Sequence, residues 1–128
     1  LQYGKTFGAP HFLQWLKEHV RRVHAPPYPE WEVLTTAGNT DGVDGLLRVL
    51  FNRGDSLLVE EFGKSFHAAP LTAAYPGAMQ AAATQGISCV GVAMDSDGII
   101  PEELDKVVAQ WDEGARGSRK PKVLSMVP

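Results

Sequence analysis

Short apolar runs alternate along this chain with segments of helical period, and that alternation limits the folds open to it more than any other feature. Residues 31–36, 56–59, 87–94 and 122–127 read as strands, apolar on both faces. Buried strands of that kind belong to parallel sheets covered by helices. Between or before them lie helical segments. Residues 10–24 place Phe12, Leu13, Leu16, Val20 and Val23 at helical spacing behind Pro10, a residue suited to a first turn. Residues 40–51 place Val43, Leu46, Leu47 and Leu50 on one face, with Thr40 as N-cap. An Ala-rich helix over 79–84 is closed by Gly86, and Pro101 opens a helix carrying Leu104, Val107, Val108 and Trp111. The prolines of residues 24–29 break the first helix into a surface connector, residues 95–98 form a turn, and residues 114–121 form a loop. The class is α/β: a mostly parallel sheet flanked by helices, in one domain spanning 1–128.

Composition narrows the function. With 128 residues, 44 % of them hydrophobic, the chain is long enough for a core. A net charge of −3 argues against nucleic acid as partner, since phosphate neutralisation needs a basic excess. The cluster Arg116, Arg119, Lys120 and Lys122 reads as a solvated loop. Cys89, the single cysteine, lies in an apolar run and reads as a buried, inert thiol. Neither a membrane span nor a secretory leader is indicated, so a soluble, cytoplasmic protein is expected. Both ends read as cut, the first residue being Leu1 and the last run being strand-like.

In α/β sheets ligands collect beyond the carboxyl ends of the strands, which directs attention to Thr35-Thr36-Ala37-Gly38-Asn39-Thr40-Asp41-Gly42. Gly38 permits close backbone approach, and the N–H groups and hydroxyl of Asn39 and Thr40 suit an anion at the positive end of a helix. An ordinary strand-to-helix turn with a capping Thr is the other reading, and the residues alone leave both open. The pattern is neither G-x-G-x-x-G nor a Walker loop, which removes support for dinucleotides and nucleoside triphosphates. Glu60 and Glu61, adjacent on a strand, point to opposite faces and read as a solvated strand end rather than an acid–base pair.

Several motifs occur in order: Leu-Gln-Tyr-Gly at 1–4, Gly8 and Pro10 before a Trp-Leu helix, Thr-Ala-Gly-Asn-Thr-Asp-Gly at 36–42, Arg-Gly-Asp-Ser-Leu-Leu-Val-Glu-Glu at 53–61, Tyr-Pro-Gly-Ala at 75–78, Met-Asp-Ser-Asp-Gly-Ile at 94–99 with Pro101, and Lys-Val-Leu-Ser-Met-Val-Pro at 122–128. Together they resemble part of the large domain of a fold type I, pyridoxal-phosphate-dependent aminotransferase, of the aromatic, 2-aminoadipate and kynurenine branch. The resemblance implies pyridoxal 5′-phosphate as cofactor, with Gly38, Asn39 and Thr40 at its phosphate and Tyr75 stacked on its ring. It implies that Tyr3 reaches the phosphate held by a second copy, and hence a homodimer. It implies as substrates an amino acid, aromatic or 2-aminoadipate, and a 2-oxo acid.

The Schiff-base lysine of the family has no counterpart among these residues, so no catalytic residue is assigned. Neither Lys64 nor Lys106 matches it, and this chain alone is expected to be inactive. Residues 63–74 form an insert relative to the family pattern, and His67 within it has no partner at metal-ligand spacing, so no metal is expected. A non-catalytic α/β binding domain and a fold type I lyase or decarboxylase are the rival readings.

Overall fold

The computed structural model describes residues 4–62 and 75–126, and of Phe62 the backbone alone. Two compact units divide the chain, Leu1–Gly38 and Asn39–Pro128.

In the first unit, α1 (Pro10–His24) begins at its proline and stops at Ala25, whose left-handed backbone (φ 40°) lets its N–H reach the carbonyl of Arg21. Leu13, Leu16 and Val20 are half-buried, whereas Phe12 and Val23 are exposed. The expected strand at 31–36 is absent from the described structure. That segment is held by Thr35, whose N–H and Oγ1 both donate to the carbonyl of Phe7 at 3.0 and 3.2 Å. One backbone hydrogen bond is no ladder, and an apolar run makes a strand only where a neighbour supplies repeated pairing. Gly8 serves this contact: its φ is +122°, and a Cβ there would lie 2.5 Å from Thr35 Oγ1.

The second unit is built on a sheet of order β3-β2-β1-β4, comprising β1 (Ser56–Phe62), β2 (Ser88–Asp95), β3 (Gly98–Ile99) and β4 (Leu124–Ser125). β1 pairs in parallel with β2 from Ser56↔Ser88 to Phe62↔Met94, and with β4 through Leu58 and Val59. β3 returns antiparallel, pairing Met94 with Ile99 and Asp95 with Gly98. The mostly parallel α/β class expected above is therefore present, with one short antiparallel edge. Leu57 and Val59 on one face of β1 pack with Ile87, with Leu47 of α2 (Asn39–Leu50) and with Ala81 and Ala82 of α3 (Pro76–Gln85). Small alanines let α3 lie close to the sheet. The opposite face of β1 carries Ser56, Leu58 and Glu60, all buried. α4 (Pro101–Ala109) packs against β2.

Expectations change at several points in this unit. Leu46 and Leu50 are exposed, because Val43, Leu47 and Phe51, spaced four apart, face the core instead. Glu60 is not solvated: β1 lies between two strands and runs on to Phe62, which buries Glu60 to 5 % exposure. The stretch read as a loop opens with a single turn, α5 (Glu113–Arg116), because the Asp112 side chain accepts from the N–H groups of Gly114 and Ala115. Arg116 lies over the Trp111 ring at 4.4 Å, and the Trp111 indole N–H donates to the carbonyl of Ser118.

Candidate functional site

α3 leads into β2, which runs parallel to β1, so the N-terminus of α3 stands at the carboxyl end of these strands. α2 leads into the start of β1 and brings its own N-terminus to that same end. The consequence is one short contact. Thr40 Oγ1 and the Tyr75 hydroxyl, 35 residues apart in sequence, lie 2.8 Å from each other, and either oxygen can donate. Thr40 is the second residue of α2 rather than the residue before it. Its hydroxyl is thus engaged across to Tyr75, which directly precedes Pro76 at the start of α3.

Gly77 makes room for this pair. A Cβ at Gly77 would stand 2.7 Å from Thr40 Oγ1 and 2.7 and 2.9 Å from the Cε1 and Cζ atoms of the Tyr75 ring. Its backbone is helical, so the glycine answers a shortage of space and not a demand for unusual φ. Gly77 was visible in the Tyr-Pro-Gly-Ala motif, yet no local pattern reveals that its missing side chain faces a threonine 37 positions earlier.

The helices behind the pair are fastened together. Asp44 receives Arg48 Nε at 2.7 Å and Gln85 Nε2 at 2.7 Å, and the same Gln85 nitrogen reaches the Asp44 carbonyl at 3.2 Å. The Arg48 hydrogen bond, followed by that from Gln85, holds the Asp44 carboxyl below its ordinary pKa. A groove of about 370 Å³ runs between α2 and α3, lined by Thr40, Asp41, Asp44, Gly77, Gln80 and their neighbours.

The other expected site residues are placed less tightly. Asn39 is the first residue of α2, at the helix end where backbone N–H groups have no intrahelical acceptor. Gly38 precedes it, accepts a hydrogen bond from Thr36 Oγ1 at 3.0 Å, and has nothing within 4 Å of where a Cβ would stand. Tyr3, Lys64, His67 and the rest of residues 63–74 lie outside the described residues. Lys106 donates to Glu103 at 2.6 Å, and that hydrogen bond raises its pKa, which keeps the amine charged and non-nucleophilic. Among the described residues no group of three or more His, Cys, Asp or Glu is arranged to hold a metal, and no helix is long and apolar enough to cross a membrane.

Comparison with known proteins bears on the whole segment. An aromatic amino acid aminotransferase of Schizosaccharomyces pombe is 42 % identical over 128 residues, covering 100 % of this chain and 25 % of that protein. Aminotransferase Aro8 from Candida albicans, a crystal structure, superposes with a TM-score of 0.78 at 40 % identity, covering 95 % of this chain and 22 % of that one. Over its whole length the chain is similar to one segment of the fold type I aminotransferases. It spans about a quarter of the length of the relatives it matches. A kynurenine aminotransferase of Pyrococcus horikoshii, solved in complex with PMP, shares the fold at a TM-score of 0.75 and 25 % identity, over 97 % of this chain and 27 % of that one. No family model matches the chain.

Proposed function

We propose that this chain forms the phosphate-binding and ring-stacking part of a pyridoxal-phosphate-dependent aminotransferase that moves an amino group between an aromatic amino acid and a 2-oxo acid. The observation that carries the reading is the Thr40–Tyr75 pair at the start of α2, in a segment similar throughout to aromatic aminotransferases. The residues fit the cofactor. A helix start with its N–H groups and a threonine hydroxyl accepts a phosphate, and an aromatic ring immediately beside it gives the pyridine a face to stack on. Gly77 keeps that space clear of a side chain.

In this reading Gly38, Asn39 and Thr40 hold the phosphate and Tyr75 carries the ring, while Tyr3 reaches the phosphate bound by a second copy of the chain. When bound, the cofactor supplies the carbonyl carbon that takes up the amino group and an electron-poor ring that stabilises negative charge at the substrate's α-carbon. The chain's own contribution is to bind and orient: the helix start neutralises phosphate charge, and Tyr75 fixes the plane of the ring. Lys106, already paired with Glu103, takes no part.

The test is made on the full-length protein carrying this segment. Titration with pyridoxal phosphate measures cofactor affinity, and the absorbance change on adding an aromatic amino acid measures amino-group transfer. Thr40→Ala removes a donor to a charged acceptor and is expected to weaken cofactor binding by about 1.5–3 kcal/mol. Unchanged affinity in that variant sinks the phosphate-site assignment. Absence of any cofactor binding by the wild type sinks the function, in favour of a non-catalytic domain.

A further inference from the structure

We infer that the hydroxyl of Tyr75, in addition to its ring, belongs to the phosphate site, because it sets the direction in which Thr40 offers its single hydroxyl proton. The inference rests on the reading of α2's start as a phosphate site and deepens it. Thr40 Oγ1 and the Tyr75 oxygen stand 2.8 Å apart, and each hydroxyl has one hydrogen to give. With no anion present, either can donate to the other. A phosphate dianion only accepts. Once Thr40 gives its hydrogen to phosphate, its oxygen is left as an acceptor, and the Tyr75 hydroxyl is the donor in range. The arrangement becomes a chain running from Tyr75 O–H to Thr40 Oγ1 and from Thr40 O–H to the anion. Hydrogen bonds in such a chain polarise one another, and one that ends on an anion is charge-assisted. Tyr75 is therefore a positioning residue for the phosphate as well as a platform for the ring.

Gly77 supports this independently. Glycine is a poorer helix residue than alanine, and nothing in the backbone at Gly77 requires it. Its missing Cβ preserves the room taken by Thr40 Oγ1 and by the hydroxyl-bearing edge of the Tyr75 ring. A methyl group there would press on both partners at once.

Comparing pyridoxal phosphate with pyridoxal separates the phosphate contribution from that of the ring. The dissociation constants of both ligands are measured for the full-length wild type, Tyr75→Phe, Thr40→Ala and the double variant. Tyr75→Phe keeps the ring and is expected to leave pyridoxal affinity unchanged while reducing the preference for the phosphorylated ligand about 3- to 10-fold, the effect of one hydrogen bond. Thr40→Ala is expected to lose more, and the double variant no more than Thr40→Ala alone, because the tyrosine hydroxyl acts only through the threonine. Gly77→Ala, which drives the pair apart, should reproduce the loss seen in Tyr75→Phe. A wild-type preference in Tyr75→Phe beside a loss in Thr40→Ala overturns the relay and leaves the phosphate site standing, as does strict additivity in the double variant. A wild-type preference in Thr40→Ala overturns the phosphate site itself. A general folding defect weakens both ligands together and leaves their ratio at the wild-type value, which counts against the relay.

Discussion

Cys89 lies in an apolar run, yet it is exposed, not buried as its neighbours in sequence imply. Beyond β2's last residues, which pair with β3, the outer edge of that strand has no described neighbour, and Cys89 is the second residue of β2. Apolar context in a sequence reports that a strand is buried somewhere along its length, and the position within the strand decides for each residue. The nearby protein atoms still shield the thiol enough to push its pKa up. Since the thiolate is the reactive form, a raised pKa leaves less of it at neutral pH. Cys89 is accordingly expected to react with a disulfide reagent without denaturant, but more slowly than free cysteine, with the gap closing as pH rises through its elevated pKa. Reaction at the rate of free cysteine near neutral pH would contradict the shielding, and no reaction before unfolding would contradict the exposure. Gly91, two residues further on, shows the opposite case of a residue fixed by its surroundings: a Cβ there would run into the Glu61 side chain of the neighbouring strand. That glycine is set by a cross-strand neighbour that no local pattern discloses.

Between elements, the Asp44 junction ties the middle of α2 to the end of α3 and so supports the Thr40–Tyr75 contact one end away. Arg48 and then Gln85 hold the Asp44 carboxyl below its ordinary value of 3.8. A carboxyl whose pKa is lower folded than unfolded stabilises the fold above the unfolded value, and that contribution is lost as pH falls through the folded one. Asp44→Asn keeps an oxygen for Gln85 and removes the charge that Arg48 pairs with. The melting temperature of this variant is expected to fall below wild type at neutral pH, with the difference shrinking below about pH 4 and also at high salt, as suits an exposed pair. A difference independent of pH would show that shape and not charge is at work. The same elements mark the limits of sequence reading. Helices opened by Pro10 and Pro101, the stop at Gly86 and the strands of residues 56–59 and 87–94 were legible, because each rests on local backbone chemistry or a short period. The strand expected at 31–36 was not, since pairing depends on a partner elsewhere in the chain. The candidate site was named in the sequence only as a list, Gly38, Asn39, Thr40, Tyr75 and Tyr3, through motifs in order. The contact between Thr40 and Tyr75, the space at Gly77 and the Gln85 fastening are products of packing α2 against α3, and no run of neighbouring residues records them.

At the scale of the molecule, the burial of α2 has a consequence for how the 128-residue chain behaves by itself. Val43, Leu47 and Phe51 satisfy the core, while Leu46, Val49 and Leu50 form a second apolar group on the same helix, exposed to 61, 82 and 55 %. Single exposed leucines are ordinary on protein surfaces, but three at spacings of three and four stand together on one face. Contiguous apolar patches of that kind favour association, and the stretch of β2's outer edge that pairs with no described strand offers backbone groups to a further strand. The net charge of −3 opposes this only weakly. The chain is expected to associate as its concentration rises, which sedimentation or size-exclusion chromatography over a range of concentrations will measure. Leu46→Lys and Val49→Lys put charge into the patch without touching the core, so they should shift the chain toward monomer and leave its thermal midpoint at low concentration nearly unchanged. If the wild-type chain stays monomeric throughout, the α2 face is too small to drive assembly. If the lysine variants associate as strongly as wild type, the contact lies elsewhere, and the open strand edge becomes the surface to block, with a proline placed on the outward side of β2.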